Sequence, residues 1–132
     1  MSDNSISCTI VNRTSGTLVL SGSDANTATE LTIGSGANAI ASGASVHAFT
    51  GSNNRMSGCG GTVKYTLPNN SSVLVIAYNT STNHDNSYCT PMLQSTSPNE
   101  AGVDAYYCQT VNAAVSGTSD GVTATITVYE VG

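Results

Sequence analysis

Apolar and polar residues alternate along much of this chain with a period of two. Val122, Ala124, Ile126 and Val128 fall on one side of a segment whose other side is Thr123, Thr125, Thr127 and Tyr129, the pattern of a β-strand with one face buried and the other in water. The same reading predicts strands over 5–12, 16–21, 28–34, 45–50, 61–67, 72–79 and 121–130, with fainter alternation near 37–41, 88–94 and 109–116. Turn-forming clusters separate them: Asn12-Arg13-Thr14-Ser15-Gly16, Ser21-Gly22-Ser23-Asp24, Gly51-Ser52-Asn53-Asn54, Pro68-Asn69-Asn70 and Ser119-Asp120-Gly121. Serial short strands joined by polar turns predict an all-β fold, an antiparallel β-sandwich, and the absence of a fixed repeat argues against a propeller, solenoid or trefoil.

One segment breaks the alternation. After Pro98, Asn99 offers an N-cap and Glu100 an acidic first-turn residue, so a short helix is expected over 99–107. In such a helix Val103, Tyr106 and Tyr107 would lie on or near one face.

Length and charge narrow the partners. The 132 residues suffice for one domain with its own core, 1–132, and leave no room for a second. Arg13, Arg55 and Lys64 are the cations, and the net charge is −5, so there is no basic stripe for phosphate backbones and nucleic acid is not an expected partner. The same charge gives no attraction to anionic lipids; membrane affinity would come from neutral headgroups or apolar insertion. No stretch approaches the roughly 20 apolar residues of a spanning helix, and Met1-Ser2-Asp3-Asn4-Ser5 does not read as a secretion signal. The expectation is a soluble chain, cytoplasmic or secreted. Sequons at Asn12, Asn69, Asn70 and Asn79 matter only on a secretory route.

Catalytic and metal signatures are thin. Cys8, Cys59, Cys89 and Cys108 are too far apart for a metal knuckle or a CxxC redox motif, and are compatible either with two disulfides, in any of three pairings, or with buried thiols. His84 sits in Asn83-His84-Asp85-Asn86 upstream of Cys89, a superficial Cys/His/acid set without a feature that would activate the thiol. His47 alternates with Val46 and Ala48 and reads as a solvent-facing strand residue. Oxygen-rich loops at 83–87 and 118–121 do not fit an EF-hand. No catalytic residue, metal or cofactor is expected, and the chain reads as a non-enzyme.

The aromatic residues are the better lead. Six Tyr stand against one Phe and no Trp, which favours rings that pack through their faces and bond through their hydroxyls. Tyr88, Tyr106 and Tyr107, with Asn86 beside the first, fall in expected loops or the expected helix and form the candidate ligand site.

Several segments resemble the aegerolysin and actinoporin class of β-sandwich cytolysins. Cys8-Thr9-Ile10-Val11-Asn12 is similar to their opening strand, Gly58-Cys59-Gly60-Gly61-Thr62-Val63-Lys64-Tyr65 followed by Val73-Leu74-Val75-Ile76-Ala77-Tyr78 to their central pair, and Thr123-Ala124-Thr125-Ile126-Thr127-Val128 to the closing strand of aegerolysins. The resemblance implies membrane-lipid binding in a toxin or defence setting, with Tyr88, Tyr106 and Tyr107 near a phosphocholine headgroup. This chain departs from both families in having no Trp and no amphipathic N-terminal helix, so the expected activity is headgroup binding, with pore formation calling for a partner protein. A glycan-binding lectin using the same Tyr88/Asn86 loop is the alternative, and a self-assembling homo-oligomer, allowed by the weakly charged Thr-rich surface, is a third reading.

Overall fold

The computed structural model describes residues 4–26, 29–53, 59–80, 88–95, 106–114 and 121–131. Ten strands are formed among them: β1 Asn4–Arg13, β2 Leu18–Ala25, β3 Glu30–Ile33, β4 Ala39–Ile40, β5 Ser45–Asn53, β6 Gly60–Thr66, β7 Ser72–Asn79, β8 Tyr88–Ser95, β9 Tyr106–Ala114 and β10 Gly121–Glu130. They build two five-stranded sheets, β3-β5-β1-β10-β9 (sheet A) and β4-β2-β6-β7-β8 (sheet B). Pairing is antiparallel except between β1 and β10, which run parallel from Ser5↔Gly121 to Arg13↔Tyr129. The protein is an all-β sandwich, as the alternation predicts.

The core is the set of positions that alternation turns inward. Ile6, Cys8 and Ile10 of β1 and Ala124, Ile126 and Val128 of β10 are buried from sheet A, and Val63, Tyr65, Leu74, Ile76, Tyr78 and Cys89 from sheet B. Phe49 of sheet A meets Tyr78 of sheet B with ring centroids 5.1 Å apart. Strand β5 adds one irregularity. Cys8 pairs with Phe49 and Thr9 with His47, so Ala48 is an extra residue, a bulge that lets two consecutive residues, Ala48 and Phe49, both be buried where an unbroken strand would bury one.

The expected helix is corrected where it is described. Residues 99–105 lie outside the described residues, but Tyr106 and Tyr107 open strand β9, paired with Glu130 and Tyr129 of β10. Tyr106-Tyr107-Cys108-Gln109-Thr110-Val111 is rich in aromatic and β-branched residues, and the free side of β10 offers it a full ladder, which outweighs the helix-start signal upstream.

Two polar clusters close the end of the sandwich at which β1 finishes. Asn12 is fully buried; its amide nitrogen donates to the carbonyls of Gly16 and Ile40, both at 2.8 Å, and its side-chain oxygen accepts from the backbone N–H and hydroxyl of Thr14 at 2.9 and 2.7 Å. One side chain thus ties the end of β1 to the following turn and to β4. Buried and fully engaged, Asn12 is no glycan acceptor in the folded chain. In the β6–β7 turn the Asn69 side-chain oxygen accepts from the N–H groups of Ser71 and Ser72 at 2.9 and 3.0 Å, while Asn70 takes the left-handed conformation, φ 61°, that Asn tolerates.

Two core tyrosines make opposite predictions. The Tyr65 hydroxyl donates to the Ala37 carbonyl at 2.7 Å, whereas the buried Tyr78 hydroxyl has no hydrogen-bond partner among the described residues. Tyr65→Phe should cost about 1–2 kcal/mol by stranding that carbonyl, and Tyr78→Phe should be neutral or slightly stabilising. Urea titration of both variants checks the contrast.

Burial makes the fold sensitive to alkali. Tyr65 is pushed up to about 12 by burial and then by the Cys8 thiol, and Tyr78 to about 12 by burial and then by Cys59, Asp24 and Cys89. A raised folded-state value means the stabilisation is complete below the unfolded tyrosine value, about 10, and is lost as pH rises towards 12. The Cys108 thiol, raised to about 11 by burial, starts the loss from its own ordinary value of 9. Stability should fall by about 3 kcal/mol between pH 8 and pH 11 from the two tyrosines alone, read as a lower urea midpoint.

Candidate functional site on the outer face of sheet A

The three expected site tyrosines take different positions. Tyr88 opens β8 in sheet B, 46% exposed, on the same outer face as exposed Met92. Tyr106 is 6% exposed, and its oxygen accepts the backbone N–H of Asn69 at 3.1 Å, which fastens the edge of sheet A to the β6–β7 turn. Burial raises its hydroxyl pKa, against the lowering effect of the Asn69 bond. Tyr107, the next residue on the strand, faces the other way and is 48% exposed. Asn86 lies outside the described residues.

These residues do not converge on one concavity. Asn69, which holds Tyr106, is bonded to Ser72; Ser72 pairs with Ser95 at one end of β8, and Tyr88 stands at the other end, paired with Asn79. At about 3.3 Å per residue that separation is roughly 23 Å. Tyr106 is a packing and fastening residue, and Tyr107 is the member of the set presented to solvent beside another ring.

That ring is Tyr129. The two are cross-strand partners and stack with centroids 4.9 Å apart and planes 14° from parallel. The Tyr129 hydroxyl donates to the side-chain oxygen of Gln109 at 3.1 Å. On the other flank Arg13 of β1, an exposed residue, is in register with Tyr129, one strand spacing away at about 4.8 Å. Arg13, Tyr129 and Tyr107 therefore form a row across three adjacent strands, with Gln109 and Thr127 in the next row.

The row combines chemistries that complement each other. Tyrosine ring faces attract cations, quaternary ammonium groups in particular, and a guanidinium presents a planar fork to phosphate oxygens. A one-residue slip of any of these strands would send its member of the row inward.

Sequence reasoning passed over Tyr129 and Arg13. Tyr129 has the parity of Thr123, Thr125 and Thr127, which marks it as outward, but it lies within an expected strand and the candidate site is drawn from the expected loops and helix. The turn-forming cluster Asn12–Gly16 places Arg13 in a turn, whereas β1 runs through it.

The histidine chemistry is plainer. His47 is exposed, and its Nε2 is shared by the hydroxyls of Ser7 at 2.9 Å and Thr50 at 3.0 Å. His84 lies outside the described residues, and Cys89 is buried. No cluster of three His, Cys, Asp or Glu placed to hold a metal ion occurs among the described residues. Compared with known proteins, the chain matches no protein-family model and no curated protein.

Proposed function

We propose that this chain is a non-enzymatic binding module for phosphocholine-type lipid headgroups, with Arg13, Tyr107 and Tyr129 as the contact residues. The observation that carries the reading is the outward tyrosine stack, Tyr107 exposed and Tyr129 half-buried, in register with one of the chain's three cations. The rings would take the trimethylammonium group by cation–π attraction, worth about 0.5–2 kcal/mol according to exposure, and Arg13 the phosphate. A net charge of −5 favours a zwitterionic headgroup over an anionic one, because long-range repulsion opposes the latter. Attachment to the membrane surface is the whole of this activity; a pore would need a partner protein.

A glycan is the second reading, favoured by Gln109 and Thr127 beside the rings, since sugar recognition joins ring stacking to amide and hydroxyl bonds. Co-sedimentation with phosphatidylcholine vesicles, set against phosphatidylglycerol vesicles and a glycan array, separates the two. The headgroup reading predicts sedimentation with phosphatidylcholine and its reversal by free phosphocholine. Binding to glycans alone, or to neither vesicle, would refute it.

A further inference from the structure

Four cysteines are present and all are thiols, three of them buried. The sheet registers show which two face each other. In sheet A, Cys8 is the cross-strand partner of Phe49, and in sheet B, Cys89 is the partner of Tyr78. Phe49 and Tyr78 are in ring contact across the core, so the rows Phe49–Cys8 and Tyr78–Cys89 lie over one another. Stepping from Phe49 to Cys8 and from Tyr78 to Cys89 moves toward the same side of the sandwich, where β9 covers β8. Cys8 and Cys89 accordingly face each other across the core, with Cys89 near enough to hold the Cys8 thiol's pKa up; both have no solvent exposure, and the Cys8 thiol donates to the Thr9 carbonyl at 3.8 Å. Cys59 is engaged elsewhere, with Thr80 at 3.3 Å and the Gly51 carbonyl at 3.5 Å.

We infer that Cys8 and Cys89 are a redox pair that closes a disulfide between the two sheets when the chain folds in the presence of a low-molecular-weight disulfide such as oxidised glutathione. One cysteine thiolate displaces a small thiol from that disulfide and becomes a mixed disulfide; the second thiolate displaces the other small thiol as the Cys8–Cys89 bond forms. Two protein S–H bonds are replaced by one S–S bond, and the electrons and protons leave in two small thiols. A bridge between the inner faces of two packed sheets is a geometry that sandwiches accommodate.

Burial decides when the exchange occurs. Inside the folded core the Cys8 thiol is held far above its ordinary pKa, first by the neighbouring Cys89 and then by burial, so the attacking thiolate is scarce and the small disulfide has no path to it. Closure belongs to folding or to opening of the edge strand β8. Once closed, the bond is shielded from reductant in the same way.

The test folds the urea-denatured, reduced chain in a glutathione buffer, alkylates it and maps the linked peptides. The expected product carries a link between residues 8 and 89, with Cys59 and Cys108 alkylated, and melts roughly 10 °C or more above the reduced protein. Native reduced protein placed in the same buffer should keep the Cys8 and Cys89 thiols for at least as long as refolding takes, and Cys8→Ala should abolish the link while still folding in reducing buffer. Absence of the 8–89 link after oxidative folding, a link through Cys59 or Cys108 instead, or rapid oxidation of Cys8 or Cys89 in the native protein would overturn the inference.

Discussion

Asn12→Ala is expected to remove about 3–5 kcal/mol, a large share of the 5–15 kcal/mol that holds a domain of ordinary stability together. The side chain is buried and makes four hydrogen bonds, two as donor to the Gly16 and Ile40 carbonyls and two as acceptor from Thr14. Alanine strands several of those groups away from water, and each stranded backbone group costs about 1–3 kcal/mol. Asn12→Asp keeps the acceptor and the shape but buries a carboxyl facing two carbonyls, so it should be about as damaging. Asn70→Gly, in the exposed turn where φ is 61°, should change stability by less than about 0.5 kcal/mol. Urea titration of the three variants measures this directly. An Asn12→Ala cost below about 1 kcal/mol would show that the cluster does not hold β1 to β4.

The second large effect concerns binding. Tyr107→Ala and Tyr129→Ala should each weaken attachment to phosphatidylcholine vesicles at least about tenfold, the loss of a stacked ring face being worth roughly 1–2 kcal/mol. Arg13→Gln should weaken it comparably by removing the phosphate contact. Tyr107→Phe keeps the ring and should bind nearly as the parent does. All four changes lie on an exposed face, so thermal midpoints should stay within a few degrees. Tyr106→Ala should behave oppositely, destabilising the fold by about 3–5 kcal/mol because a buried aromatic and its bond to the Asn69 N–H are lost. Tyr88→Ala should leave both binding and stability near the parent values.

How far the sequence foretold this arrangement varied with the kind of information each element needs. Strands β7 and β10 are legible to the residue for different reasons: Ala124-Ile126-Val128 alternate cleanly with Thr123, Thr125 and Thr127, whereas Val73-Leu74-Val75-Ile76-Ala77-Tyr78 is a continuous apolar run, with Val75 buried beside Leu74 and Ile76, and turn formers bound it. The bulge at Ala48 is not, because two consecutive buried residues look like a lapse in the pattern until the Cys8 register is known. β9 begins at Tyr106, ahead of the alternation near 109–116: the Asn99-Glu100 helix signal is local, while the pairing of Tyr106 and Tyr107 with β10 is a long-range contact. That one difference decides the site. Adjacent tyrosines lie about 100° apart around a helix, close enough to flank one face, but point to opposite faces of a strand, so Tyr106 goes inward and Tyr107 meets Tyr129. Arg13 joins them only through the parallel β1–β10 pairing, which no local pattern reveals. Likewise, cysteine spacing leaves three pairings open, and the facing rows bring Cys8 to Cys89.

The central claim, that the headgroup site is the Arg13–Tyr129–Tyr107 row, is most directly tested by titrating free phosphocholine into isotope-labelled protein and following the backbone amide resonances. The account predicts saturable shifts concentrated at residues 11–13, 107–109 and 127–129, absent in the Tyr107→Ala/Tyr129→Ala double variant. Shifts centred on Tyr88 and Met92 of the opposite sheet, or no saturable shift at millimolar phosphocholine, would contradict it.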